Sequence, residues 1–476
     1  MNKKKMVGIF LASALVTSAV AVGSAGATAD LTKKVAANSA AASQLKVVNG
    51  SLTIDGSAVS IRTVVVGNTT LYSLRDLANA LGAAVKPNNG GNIVVQDASE
   101  LHTLSLHTGS ASYQLDGASA SFAKAPQNVN NAIFVELSSV VEALGGEILA
   151  KSGEVKSTSR LSGDFSTPFF DASGNVIVIQ EDGEVPQLIK LHTGGDYEVF
   201  SSNDGAAGAA VSPDHTKAAF TNDNGELFVI NTSNGLVEKI GSDTTVKTDL
   251  VWSQDAKRIY FIQGDKQEKI AYIDVETGKV TAVLADKVEN KSEVQVSADL
   301  KKLVYFVNVT GTAEVDKAGT EESLKIDYSK AGTQLFSLDL TKKDAKPVQL
   351  TSKLDNKLFL SLLSSGEVTY VSADPEGVIE NSVLKIISAD GTKESDLAAD
   401  IDVLSAKLIS GKVIVLADVN GVSKVYEIAA SGAKTELYST EKSVSELEVS
   451  PNGSIVLIED GKVVLVQGGA TAELTK

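Results

Sequence analysis

The stretch Val251-Trp252-Ser253-Gln254-Asp255-Ala256-Lys257-Arg258-Ile259-Tyr260-Phe261 reads as strand, tight turn, strand: an apolar run ends at Trp252, a polar turn follows, and β-branched and aromatic residues resume at Ile259. The pattern returns 41 residues upstream as Val211-Ser212-Pro213-Asp214-His215-Thr216-Lys217-Ala218-Ala219-Phe220, and 44 residues downstream from Val296-Ser297-Ala298-Asp299 to Val304-Tyr305-Phe306. Val449-Ser450-Pro451-Asn452-Gly453-Ser454-Ile455 opens a further copy near the end of the chain. Several short strands repeated at a period of about 40 to 45 residues predict a β-propeller.

Spacing sets the number of units. A weak copy stands 41 residues before Ser212, in Phe170-Asp171-Ala172-Ser173-Gly174-Asn175-Val176. Between Ser297 and Ser450 lie 153 residues, and setting aside an apparent insertion from Val309 to Ala331 leaves room for three repeats. Degraded turns at Ser364-Ser365-Gly366 and Ser410-Gly411 fit that interval. Seven units result, or six if the segment at Asp171 is not a blade.

The chain has 476 residues, enough for two or three domains. A net charge of −16 works against nucleic acid and anionic lipid as partners, because both need clustered Lys and Arg. With no cysteine, disulfides, thiolate nucleophiles and thiolate metal sites are excluded.

Residues 1–27 read as an export signal. Lys3, Lys4 and Lys5 precede an apolar run from Val7 to Val22, shorter than the ~20 residues that span a bilayer. Ala25-Gly26-Ala27 offers small residues for cleavage, with an uncleaved anchor as the alternative. The expected location is therefore secreted, extracellular or cell-wall associated, with no integral membrane segment after cleavage. Residues 28–45, rich in Ala, Ser and Lys, read as a flexible leader.

Residues 46–150 carry an internal duplication. In Leu71-Tyr72-Ser73-Leu74-Arg75-Asp76-Leu77-Ala78-Asn79-Ala80-Leu81-Gly82, apolar side chains at Leu74, Leu77, Ala78 and Leu81 follow the i, i+3, i+4, i+7 pattern of one helix face. Leu137, Val140, Val141 and Leu144 repeat it 63 residues later. Gly82 and Gly145 stand where a left-handed glycine ends such a helix. Strands flank both helices, so the unit is expected to be α+β.

This duplicated segment resembles the stalk-like domain known as the copper amine oxidase N-terminal domain, found on exported Gram-positive proteins. The resemblance rests on Tyr72-Ser73-Leu74-Arg75, Leu81-Gly82-Ala83 and Leu144-Gly145-Gly146. The sequence has Ser73 where that motif usually has proline, and Glu136 and Ser138 where it has proline and arginine. The resemblance implies a spacer or wall-associated module rather than copper chemistry.

Residues 151–164 are polar and read as a linker. From residue 165 onward, hairpin turns are marked at Asn224-Gly225, Asn234-Gly235, Thr277-Gly278, Asp390-Gly391, Asn420-Gly421 and Asp460-Gly461. The recurring Ser-Pro-Asp turn before a Lys- or Arg-led strand is similar to TolB-type and WD-repeat-like propellers. The expected fold class is mainly β: a C-terminal propeller preceded by a small duplicated α+β domain.

Candidate chemistry is sparse. His102 and His107 share a strand but are five apart, which places them on opposite faces. His192 aligns with Asn231, Asp274 and Asp339, a turn position by repeat symmetry; His215 occupies the turn position of Ala256 and Leu300 and is expected to be exposed. Trp252, aligned with Val211 and Val296, reads as core between blades. The acidic turns Asp223-Asn224-Gly225 and Asp374-Pro375-Glu376-Gly377 each offer too few oxygens to hold Ca²⁺ alone.

No Gly-x-Ser-x-Gly elbow, phosphate loop or His-Glu-x-x-His occurs. No catalytic residue, metal ligand or cofactor is assigned. The expectation is a binding or scaffold protein of the cell envelope, not an enzyme. Its propeller would recognise a protein or a cell-wall glycan, and residues 309–331 would form a lip over one face. The alternatives are a hydrolase or lyase acting on sugars or lactones from the central channel, and a purely structural surface-layer accessory.

Overall fold

Ile259-Tyr260-Phe261-Ile262 sets four apolar side chains in a row, too many for a strand with one wet face, and all four are buried. Alternation explains how. Ile259 and Phe261 join one core with Ala219, Val229 and Trp252, while Tyr260 and Ile262 join another with Leu303, Tyr305 and Val307. A four-stranded sheet sandwiched between two similar sheets is a propeller blade.

The computed structural model describes residues 45–87, 92–97, 101–192, 196–202, 208–310, 312–315, 324–327, 332–375, 377–378 and 381–476. Residues 1–27, read as an export signal, and all but residue 45 of the segment read as a leader lie outside them.

Seven four-stranded antiparallel sheets follow one another in chain order. The first strand of each is Phe165–Phe170, Ala210–Val211, Lys247–Trp252, Lys291–Val296, Asn356–Leu362, Asp402–Ile409 and Val444–Val449. The first strands of blades 2 to 6 touch in succession, and that of blade 1 touches that of blade 7. The segment at Asp171 does open a blade, so the count is seven. Each of the seven junctions has its own apolar core.

The closing junction exchanges no strand. Blade 7 uses only Val444–Glu473, and its Val456, Ile458, Val463 and Leu465 pack on Phe170, Val178, Ile189 and Leu191 of blade 1. Burial of such side chains, about 1.5–3 kcal/mol each, holds the ring shut without an interlocking strand.

The repeating turn has a local cause. The Ser212, Ser253 and Ser297 hydroxyls donate to Asp214, Asp255 and Asp299 at 2.6, 2.6 and 2.7 Å. Each serine oxygen also accepts the N–H five residues on, from Lys217, Arg258 or Lys302. The bracing holds His215, Ala256 and Leu300 at φ 58, 54 and 56°, a left-handed strain that the side-chain bonds offset.

The N-terminal domain comprises β1 (Val48–Ile54), β2 (Ser57–Val66), β3 (Thr69–Ser73), α1 (Leu74–Ala80), β4 (Ala84–Pro87) and β5 (Asn92–Gln96). There follow β6 (Thr103–His107), β7 (Ser112–Leu115), β8 (Ala118–Ser121), β9 (Gln127–Val129), β10 (Ala132–Val135), α2 (Leu137–Ala143), β11 (Glu147–Ile148) and β12 (Val155–Lys156). Hairpin, helix, hairpin occurs twice, as β2–β3, α1, β4–β5 and as β9–β10, α2, β11–β12. The halves join where β3 pairs with β10, Tyr72 opposite Val135. Gly82 and Gly145 end the helices at φ 72 and 79°.

Where the motif usually has proline, Ser73 caps α1 by accepting from Asp76 N–H. Glu136 makes no such cap on α2; its carboxylate accepts from the Ala123 and Lys124 N–H groups and from the Ser139 hydroxyl. The polar stretch 151–164, read as a linker, is in part sheet: β12 pairs with both β1 and β11. Its two-residue length and Lys-Ser-Gly surroundings hide it from periodicity.

Candidate functional site

In a propeller the innermost strands supply the side chains nearest the axis, and in blades 1, 3, 4 and 5 these strands bulge four residues before Asp171, Ser253, Ser297 and Leu363, which open the turns. Register shifts fall at Ser166/Phe169, Thr248/Val251, Ser292/Gln295 and Leu358/Ser361. The bulged residues Thr167, Asp249, Glu293 and Phe359 have φ of 49, 52, 49 and 57°. A bulge leaves a backbone N–H without its ladder partner, and at three of these bulges a carboxylate of the preceding blade accepts an N–H.

Asp249 of blade 3 accepts from Glu293 N–H at 3.2 Å. Glu293 of blade 4 accepts from Leu360 N–H at 2.6 Å. Glu446 of blade 7 accepts from Thr167 N–H of blade 1 at 2.8 Å. Three carboxylates at one repeat position thus reach hand to hand across blades. Burial raises the Glu293 carboxyl above the usual range; the backbone donors of Leu360 and Phe359 only partly offset this, and neighbouring Asp249 adds to it.

Six residues before the turn, blades 3, 4 and 5 place a buried lysine. Lys247 Nζ donates to the Gly225, Asp243 and Thr245 carbonyls and to Asp243 Oδ1. Lys291 donates to the Glu268 and Val288 carbonyls and Asp286. Lys357 does the same with Thr333, Lys353 and Asp355. Each ammonium joins the loop between two blades to the earlier blade, Lys247 and Lys291 at its second-to-third-strand turn and Lys357 at the start of its third strand. The sequence held a sign of both devices, since Lys247-Thr248-Asp249 and Lys291-Ser292-Glu293 stand at the same offset from Ser253 and Ser297; only the turn residues had been aligned.

The singled-out residues do not converge. His102 Nδ1–H donates to Asp116 at 3.1 Å, and His107 is exposed on β6. His192 N–H closes the turn onto the Asp196 carbonyl, as Asn231 does with Leu236 and Asp274 with Lys279. His215 departs from expectation: it is half-buried, and its Nδ1–H donates to the Phe170 carbonyl of blade 1 at 3.0 Å. A left-handed turn residue is aimed back at the neighbouring blade, which a sequence alignment of turns does not reveal.

Trp252 is buried between blades 2 and 3, its Nε1–H on the Ala210 carbonyl at 2.8 Å. The Gly225 carbonyl of the first acidic turn is already bound by the Lys247 ammonium. In the second, Asp374 accepts from Val378 N–H, and Glu376 lies outside the described residues. Among the described residues, no three His, Asp or Glu side chains gather as metal ligands would.

Residues 310–331 connect the second and third strands of blade 4. Thr312–Val315 and Leu324–Asp327 pair as antiparallel strands, with Thr312 opposite Asp327. Residue 311 and the segments 316–323 and 328–331 lie outside the described residues.

Fold and inner ring together define a seven-bladed propeller preceded by a duplicated α+β domain. Residues 53–156 match the family described as copper amine oxidase N-terminal domain, in line with the resemblance drawn for 46–150. Among solved structures, the chain is similar to an oligogalacturonate lyase in complex with manganese, at 11% identity and TM-score 0.47, over 67% of this chain and 86% of that one. It is similar also to the β-propeller domain of the Trilobed protease from Pyrococcus furiosus, at 13% identity and TM-score 0.43, over 66% and 98%. TolB from Acinetobacter baumannii shows 14% identity and TM-score 0.37, over 74% and 77%. No curated protein matches the sequence.

Proposed function

We propose that this chain is an exported cell-envelope protein whose propeller binds a protein or glycan through one face, with the N-terminal domain as spacer or wall-associated module. One observation carries the reading: the second-to-third-strand connection of blade 4 spans residues 310–331, while the other six blades use nine residues or fewer. The central carboxylates meanwhile are engaged with backbone N–H groups, which fits a rigid platform better than a reactive centre. Export is supported by the basic, apolar and small-residue order of residues 1–27. No helix among the described residues is long and apolar enough to cross a membrane.

The test is affinity capture from a Gram-positive envelope extract with the whole chain, against a variant in which residues 310–331 are replaced by an Asn-Gly turn. Loss of the captured set on replacement supports the lip as the docking element. An unchanged set removes it.

A second reading, a hydrolase or lyase acting on sugars or lactones from the central channel, is favoured by Glu293 alone. A carboxyl raised by burial near a second carboxylate is material for general acid catalysis. Turnover of a glycan or lactone that is abolished in Glu293→Gln would establish it.

A further inference from the structure

A cavity of about 370 Å³ lies between blades 3 and 4, at the end of the blades opposite the lip. Its position follows from its lining. Arg258 begins a second strand, Leu300 sits in a first-to-second-strand turn, and Leu340 to Ala345 form a third-to-fourth-strand turn. The lip instead rises from a second-to-third-strand connection, at the other end of an antiparallel blade.

The lining divides by chemistry. Tyr260, Tyr272, Val283, Leu300, Leu338 and Leu340 supply apolar wall. The Arg258 guanidinium lies 4.7 Å from the Tyr272 ring centroid, and Tyr260 and Tyr272 stand 5.3 Å apart. Arg258 is half-buried beside Tyr260, and its guanidinium carries five N–H donors. Among the described residues no carboxylate pairs with it in a salt bridge. Lys342 is paired with Asp339 at 2.9 Å, and Lys343 forms no ion pair among the described residues. Three cationic side chains stand against two acidic ones in a protein of net charge −16.

A fixed guanidinium, its face held on an aromatic ring and its edge free, is suited to a planar carboxylate. Polar groups make up most of the exposed wall, with the Tyr272 ring beside the guanidinium, and the volume fits a small ligand or a chain end. We propose that this cavity binds a carboxylate-bearing ligand, with Arg258 as the anchoring residue and Lys343 as a second cation. Two sources share that chemistry: a small free acid, and a peptide C-terminus. The site is independent of the docking role given to the lip, and replacing residues 310–331 leaves it in place.

The test is calorimetric or saturation-transfer titration of the whole chain with 3-phenylpropanoate, with the tripeptide Gly-Gly-Phe, and with Gly-Gly-Phe amide. The proposal expects at least one carboxylate to bind, and the amide to bind at least about tenfold more weakly, since the charge-assisted contact is lost. Binding of the tripeptide alone identifies a chain end as the source, and binding of phenylpropanoate identifies a free acid. Arg258→Gln should weaken binding by about tenfold or more, and Lys343→Gln, which leaves the Arg258–Tyr272 stack intact, by a few fold. Equal binding of acid and amide, binding unaffected by both substitutions, or no binding of either acid at millimolar concentration overturns the proposal.

Discussion

Glu446 accepts the Thr167 N–H at 2.8 Å across 279 residues of sequence, joining the first strand of the last blade to that of the first. Among the described residues no strand is exchanged across this seam, so each contact there carries more of the closure than its counterpart elsewhere. Glu446→Ala should lower stability by about 1–2 kcal/mol, the worth of a hydrogen bond to a charged group in a half-exposed setting. Glu446→Gln keeps an acceptor and should recover most of it. Urea midpoints of the three proteins decide the matter.

Arg160 ties the N-terminal domain to the last strand of blade 7. Its guanidinium donates to Glu147 through Nε at 2.9 Å and Nη2 at 2.6 Å, and through Nη1 to the Glu473 carbonyl at 2.9 Å. Burial pushes the Glu147 carboxyl up, and the Arg160 contacts more than reverse it, so the net shift is downward. Arg160→Met strands a buried carboxylate and should cost about 3–5 kcal/mol, whereas Lys151→Met, at the exposed end of the pair with Glu473, should cost under about 1 kcal/mol. Thermal unfolding of both variants checks the contrast.

Glu293 shifts in the opposite sense to the turn carboxylates Asp214, Asp255 and Asp299. Its folded carboxyl is raised, so its contribution to stability is largest at low pH and is lost as pH rises through the raised value. Glu293→Gln retains an acceptor for Leu360 N–H and buries no charge, so it should match or exceed the native protein at pH 7 and converge with it on acidification. Glu293→Ala removes the acceptor and should cost about 1–3 kcal/mol across the range. Denaturant titrations at several pH values between neutrality and mild acid read both effects.

The turn carboxylates give the acid limb. The Ser388 hydroxyl, with Thr392, holds Asp390 down to about 2 from an ordinary 3.8, and Thr341 and Lys342 hold Asp339 at about 2. A depressed acid contributes stability above its unfolded value and loses it as pH falls through the folded one. The loss therefore falls between about pH 4 and 2. Ser388→Ala should raise the Asp390 value, visible by NMR titration, and its stability deficit at pH 6 should shrink toward pH 2.

How much of this was legible in the residues depends on period. The Ser-x-Asp turns and the alternation in Ile259-Tyr260-Phe261-Ile262 follow local rules, so seven blades could be counted. Both helices and their terminal glycines follow from spacing in the same way. Glu293 and Leu360 are 67 residues apart and belong to different blades, and no local rule pairs them. Lys291 looks like an ordinary polar strand start, yet three-dimensional closure buries it completely against loop carbonyls. The short β12 carries too few residues to display any period, and its pairing with β1 depends on a contact about a hundred residues away in the chain.

On the proposed function, the inner carboxylates hold blades together and recognition happens at the lip. Envelope capture and glycan or lactone turnover by the whole chain carrying Asp249→Asn, Glu293→Gln and Glu446→Gln together separate these roles. Amides preserve the acceptor oxygens but cannot exchange protons or hold a cation by charge. The expected result is a folded protein that captures the same set as the native chain and shows the same turnover, if any. Loss of capture or of turnover, with the fold intact by circular dichroism, would instead move the functional centre into the channel.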